Sequence, residues 1–301
     1  MQRKAILIDS SNAVVGKPLP GAAHDMGNWR EFLKSDIGGM WEDDEFADIS
    51  SCPKWKDVLA EINMFCVEEG EPYYLFIAFS GHGAYDKYRK ADVVSLNHNE
   101  VITVDELRSA VDAVTKNAVI IIDACREERE YVSPTPVNDF TQSLFVQGYD
   151  WNKVLESMGR HTLQATILES SDSSILLDYP YVSDEVLKAV YQVKIKDIWN
   201  RALKDSGPVV IQSCSRSQFA NEQGVGLFSD AMMRCAGMWW YTHHGDGEIL
   251  SIDGVFNDAC TLLQRKLNGV SHDKQNPEIN PQRTMQPFIV NIQPEIEKRL
   301  S

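Results

Sequence analysis

Positive charge is scarce in this chain: 29 Lys and Arg stand against 44 Asp and Glu, a net charge of −15 over 301 residues. That balance argues against nucleic acid and anionic membrane as main partners. It is compatible with basic peptide substrates, and equally with simple solubility. Long apolar runs are missing too. No stretch approaches the length of a membrane span, so no membrane partner is expected. The run Ala5-Ile6-Leu7-Ile8 before Asp9 is too short for the core of a secretion signal. Clustered cysteines are absent: Cys52, Cys66, Cys125, Cys214, Cys235 and Cys260 lie far apart, with no Cys-x-x-Cys spacing. This argues against a disulfide scaffold or a zinc site, and for free thiols in the cytoplasm. There is no internal repeat and no low-complexity tract. The hydrophobic content, 43%, is ordinary for a folded domain and argues against disorder.

Two short segments carry the most information. Residues 76–83 read Phe-Ile-Ala-Phe-Ser-Gly-His-Gly, and residues 119–126 read Val-Ile-Ile-Ile-Asp-Ala-Cys-Arg. Each is an apolar, β-prone run ending in a reactive side chain, His82 or Cys125. Such runs suit strands buried on both faces of a parallel sheet. Chemistry in such sheets collects beyond the carboxyl ends of the strands. A His and a Cys placed there form a candidate base and nucleophile.

The rest of the chain reads as alternating elements. Strands are expected at Lys4–Asp9, Tyr73–Ser80, Asp92–Leu96 (a short edge strand), Ala118–Asp123, 208–213 and 287–291. Helices are expected over about 22–33, 53–69, 103 onward, 183–204, 226–237 and 253–267, with a further helical segment around 150–160. Thr103 and Glu106 have capping-box spacing. Pro53 suits the start of a helix. Residues 36–50 read as an exposed acidic loop or short hairpin. The order is β-α-(loop)-α-β-(β)-α-β, which fits right-handed crossovers on a mostly parallel sheet. Residues 127–207 are long for a connection, so they are functional or an insertion.

On these residues the chain resembles the caspase-like cysteine peptidases, on the metacaspase and bacterial side. Ser80-Gly81-His82-Gly83 is similar to the family's histidine motif, and Asp123-Ala124-Cys125 to its cysteine motif. Animal caspases carry Gln-Ala-Cys-[Arg/Gln/Gly]-Gly with the His about 50 residues upstream. Here Asp123 replaces the Gln and Glu127 the final Gly. Ser213-Cys214-Ser215-Arg216-Ser217-Gln218-Phe219-Ala220-Asn221-Glu222, then Gly226-Leu227-Phe228-Ser229, resembles the small-subunit start. Met285-Gln286-Pro287-Phe288 resembles the family's final strand. The resemblance implies an α/β fold, a caspase-like three-layer α-β-α sandwich with a mostly parallel central sheet. It divides the chain into a large-subunit-like part (1–126), an insertion or intersubunit linker, partly helical (127–207), and a small-subunit-like part (208–301).

A free thiol is weakly ionised at neutral pH, and a neighbouring imidazole lowers its pKa or takes its proton. His82 would return that proton to the leaving amine. The resemblance implies an oxyanion site from the N–H groups of Gly83 and Cys125. No third triad member stands out in the sequence. Asp123 lies two residues before the nucleophile, on one face of the strand end. Asp25 resembles the Asp of the metacaspase Asn-Asp motif, with His24 in place of Asn. By resemblance Asp25 and Asp123, with Ser213, line the pocket for the residue before the scissile bond. Two carboxylates there would select Arg or Lys and repel Asp.

The expected function is a cysteine endopeptidase acting on a protein or peptide with Arg or Lys before the cut. The 127–207 segment would regulate it as in a zymogen, with a regulatory protein partner as one route. Candidate self-cleavage sites are Arg126, Arg129, Lys153, Arg160, Lys188, Lys194, Lys196, Arg201 and Lys204. A non-catalytic adaptor of the same fold would not need both His82 and Cys125. A caspase-like peptidase with Asp specificity is the other alternative. No cofactor is required. The acidic residues 42–48 are a candidate for Ca²⁺, as some metacaspases need it, but they lack EF-hand spacing and its Gly. His243-His244 with Asp246 is a weak metal candidate. Cys260, in Asp-Ala-Cys260, reads as core.

Overall fold

The computed structural model describes residues 2–14, 17–64, 73–129, 184–203, 207–221, 224–243, 247–268, 274–281 and 286–292. Strand β1 (Gln2–Ser10) is followed by α1 (Pro20–Lys34) and α2 (Trp55–Asn63). Strands β2 (Tyr73–Gly81), β3 (Gly83–Asp86), β4 (Ala91–Asn97) and β5 (Glu100–Thr103) lead into α3 (Val104–Asp112). Then come β6 (Ala118–Asp123), β7 (Glu128–Arg129), α4 (Asp184–Ala202) and β8 (Val209–Gln212). The chain closes with α5 (Leu227–Thr242), β9 (Glu248–Ser251), α6 (Ile252–Leu267), β10 (Glu278–Asn280) and β11 (Pro287–Asn291).

The main sheet has the order β1-β2-β6-β8-β10, with the first four strands parallel and β10 antiparallel. Successive side chains of a strand point to opposite faces, and the two cores follow that alternation. Tyr74, Phe76, Ala78, Val119, Ile121, Val209 and Ile211 join one core with α1, α4, α5 and α6. Leu75, Ile77, Phe79, Ile120, Ile122 and Val210 join the other with α2 and α3. Helices on both faces explain why β2 and β6 are apolar throughout. The fold is the expected α/β sandwich.

Several details differ from expectation. Asp92–Leu96 is not an edge of the main sheet: β4 belongs to a second sheet, β5-β4-β3-β7, that starts directly after His82. The final strand β11 pairs with β9 in a separate ribbon. The edge of the main sheet is β10, three residues long and without an apolar run to reveal it. The acidic segment is not wholly exposed. Glu45 is buried and receives two hydrogen bonds from the buried Arg3, at 2.8 and 2.9 Å. Thr103 and Glu106 do form the capping box of α3.

Helix α4, in the segment read as an insertion, is part of the core. Ile195, Ile198 and Trp199 are buried, and Trp199 packs edge-on against Tyr74 and Trp41 at 5.1 and 6.4 Å between ring centres. The expected helical segment around 150–160 lies outside the described residues, as do Lys153, Arg160, Lys204, Cys66, Glu222, Met285 and the far end of the 53–69 helix. Among the described residues no helix is long and apolar enough to cross a membrane.

Candidate active site

The register of β2 against β6 ends with Ser80 opposite Asp123. Carried two residues further, it sets His82 level with Cys125, just past the carboxyl ends of neighbouring strands. Glycine makes this approach possible. A Cβ on Gly83 would stand 2.8 Å from both the Cβ of Ala124 and the carbonyl oxygen of Cys125. Tyr85 N–H donates to Glu127 O at 2.8 Å. Amides two residues apart on a strand face the same edge, so Gly83 N–H also faces the Cys125 segment.

His82 is buried, and its Nε2 lies 2.8 Å from the carbonyl oxygen of Lys17. A carbonyl only accepts, so Nε2 carries the proton and Nδ1 is left as the acceptor of the neutral ring. A main-chain carbonyl thus holds one edge of the His82 ring. Cys125 is half-buried, with Sγ 4.0 Å from the carbonyl oxygen of Ala220.

Asp25 and Asp123 come together. Asp25 sits on the buried face of α1 with Ala22, Met26 and Trp29. Its carboxylate accepts from Ser80 Oγ at 2.7 Å and from Gly226 N–H at 2.7 Å. Asp123 accepts from Ser229 Oγ at 2.7 Å and Ser229 N–H at 3.3 Å. A Cβ on Gly226 would stand 2.3 Å from Asp123 Oδ2 and 2.8 Å from Asp25 Oδ2. The two oxygens are therefore within about 5 Å of each other across Gly226. Burial pushes the Asp123 carboxyl above its ordinary value, while the hydrogen bonds from Ser229 and the nearby Ser213 hydroxyl pull the other way. Ser213 is fully buried beside it. His24 Nδ1 lies 3.0 Å from Gly224 O and ties α1 to the segment before Gly226.

Ser80, Gly226 and Ser229 stand within the motifs, yet only the folded chain shows that they hold the two acids. Arg126 is not the cut site that its residue type and place suggest. Arg126 is buried and grips Asp92 through two hydrogen bonds, at 3.0 and 2.7 Å. It also donates to Cys214 O at 2.9 Å and to Glu278 at 2.5 Å. A side chain so held is not available to a peptidase pocket. The partners come from β4, β10 and the loop after β8, so Arg126 clamps the chain just after Cys125 to three elements.

The weaker candidates find other roles. Asp43 pairs with Arg30 and Lys34 at 2.9 and 3.0 Å. His243 stacks on Trp239, while His244 and Asp246 lie outside the described residues. Among the described residues no group of three or more His, Cys, Asp or Glu is placed to hold a metal ion. Cys260 is partly buried and packs against the core.

A family model described as a caspase domain matches residues 2–288 of the chain. No curated protein matches it.

Proposed function

The chain belongs to the caspase family of cysteine peptidases, and on that premise we propose that it is an endopeptidase that cuts after arginine or lysine through a His82–Cys125 dyad. In this reading His82 Nδ1 takes the Cys125 proton while Lys17 O holds the Nε2–H edge. The thiolate attacks the scissile carbonyl, and Gly83 N–H and Cys125 N–H receive the oxyanion. The imidazolium then protonates the leaving amine, and water hydrolyses the thioester. Aligned strands supply the positioning that makes attack effectively unimolecular.

The observation that carries the basic specificity is the convergence of Asp25 and Asp123 on Gly226. Two carboxylates so close favour a guanidinium or ammonium between them and repel an Asp side chain. Ser213, buried beside Asp123, belongs to the same pocket wall. The chain does not need a cofactor in this reading, and Ca²⁺ enters only as a candidate regulator. We also assign residues 127–207 a regulatory role through cleavage or displacement. Helix α4 would stay in place, because Trp199 and Ile195 hold it in the core.

Fluorogenic peptides ending in Arg, Lys or Asp, offered to wild type and to Cys125→Ala, test the reading. The expected result is cleavage after Arg and Lys by wild type alone. Cleavage by Cys125→Ala would show a misassigned nucleophile. Cleavage after Asp alone would remove the acidic pocket. No cleavage by either, with the fold intact, would favour the adaptor.

A further inference from the structure

A second thiol stands behind the nucleophile and takes no part in the mechanism. Cys214 is fully buried, and its Sγ lies 3.4 Å from both Ala124 O and Gln218 O. The register of β6 against β8 ends with Ile122 opposite Gln212. Carried on, it sets Ala124 level with Cys214, so Cys125 is one residue along the diagonal. Adjacent strands are about 4.8 Å apart and a residue advances about 3.3 Å. The Cα atoms of Cys125 and Cys214 are then roughly 6 Å apart, within the span a disulfide bridges; the same register starts their side chains on opposite faces, so closing the bridge requires the chain at Cys125, past the last paired residue of β6, to turn. Both thiols also face one loop, Cys214 at Gln218 O and Cys125 at Ala220 O.

We propose that Cys214 is a resolving cysteine: once a hydroperoxide oxidises Cys125, Cys214 closes a reversible Cys125–Cys214 disulfide. The Cys125 thiolate attacks the outer peroxide oxygen, the O–O bond breaks, and a sulfenic acid forms with release of an alkoxide, which takes a proton to give the alcohol. The Cys214 sulfur then attacks the Cys125 sulfur. An S–S bond forms, the S–O bond breaks, and the departing hydroxide takes the Cys214 proton and leaves as water. Overall, two thiols give one disulfide and the peroxide is reduced to alcohol and water.

The order follows from the surroundings. Burial first, and then the nearby Cys125 and Asp123 charges, keep the Cys214 thiol protonated and slow toward peroxide. Cys125 is less buried and sits beside an imidazole, so it reacts first. Proximity makes up for the weak nucleophilicity of Cys214 in the second step. The disulfide would remove the nucleophile yet spare it from sulfinic acid, which reductants do not reverse.

The inference rests on Cys125 being the reactive thiolate of the proposed function, and the test separates the two. The whole protein is treated with hydrogen peroxide, its free thiols are blocked, and it is digested without reductant. The expected product is a peptide joining Cys125 to Cys214, about 2 Da lighter than the two thiol peptides together. Dithiothreitol should restore most of the wild-type activity. Cys214→Ala, measured against its own starting activity, should recover roughly a tenth or less, with Cys125 as sulfinic acid. Cys125 oxidised beyond sulfenic acid in wild type, with no link to Cys214, would overturn the proposal and leave the nucleophile assignment standing. A Cys125 inert to both peroxide and alkylation would overturn both. A peptide joining Cys235 to Cys260 in place of the predicted one would also overturn it. If Cys214→Ala does not fold, the wild-type peptide map and recovery decide alone.

Discussion

Asp25 and Asp123 bring their carboxylates to one point, the place a Cβ on Gly226 would take, so there is no room there for a methyl group. Gly226→Ala should therefore push the two acids apart and spoil the pocket. The overpacking costs about 1–3 kcal/mol of stability, and the loss of cleavage after Arg should be larger than that cost explains. Thermal unfolding and kcat/KM, measured together, check this. Full activity in Gly226→Ala would mean that basic side chains bind elsewhere.

A second expectation concerns pH. An unfolded Asp titrates near 3.9, whereas burial raises Asp123 in the folded protein. The folded state thus holds the proton more tightly, and stability falls as pH rises from the unfolded pKa through the folded one. Above both, the penalty stands in full. Asp123→Asn removes it and keeps a carboxamide oxygen for Ser229. Its melting temperature should exceed that of wild type at pH 7 by about 2 °C or more, with a smaller difference near pH 3.5. Cleavage after Arg should drop at the same time. An equal gain at both pH values would show that titration of Asp123 is not the cause.

Arg126→Lys tests the clamp beyond the nucleophile. Lysine keeps the charge but loses the fork that holds Asp92, Glu278 and Cys214 O together. Leaving these acceptors under-satisfied should cost on the order of 3 kcal/mol, seen as a lower urea midpoint with unchanged slope. An unchanged midpoint would reduce Arg126 to a surface-like ion pair.

Trp199→Ala should cost about 3–5 kcal/mol, because the ring lies among Tyr74 and Trp41 in the core. Self-cleavage is expected only where chain can extend into a site. Lys194 and Lys196 lie within α4 and should survive, whereas Arg129, Lys153, Arg160 and Lys204 remain candidates. Intact mass of wild type beside Cys125→Ala decides. Cuts inside α4, or cuts in both proteins, would count against regulated self-processing.

The sheet was legible in the sequence because its central strands are buried on both faces and so spell out apolar runs. Tyr73–Gly81 and Ala118–Asp123 left little choice. The small strands were not, since β10 and β7 are held by neighbours and carry no pattern of their own. Asp25 and Asp123 were found by resemblance. Their closeness across Gly226 depends on how α1 and α5 dock, which no spacing encodes. Arg126 looked like an exposed basic residue because its partners, Asp92 and Glu278, are distant in sequence.

The contact from His82 to Lys17 O has a consequence for how this protein would look in a mutational survey. Every residue, proline included, offers the same main-chain carbonyl. Substitutions at position 17 keep that carbonyl, so the losses they cause should come from the buried Lys17 amine or, for proline, from the N–H bond to Val14 O, and not from the imidazole contact. Sensitivity of that contact should surface instead in changes to the path of the chain, such as one-residue insertions or deletions between Ser11 and Pro20. Such a profile, tolerant of identity and intolerant of length, marks a function carried by the main chain.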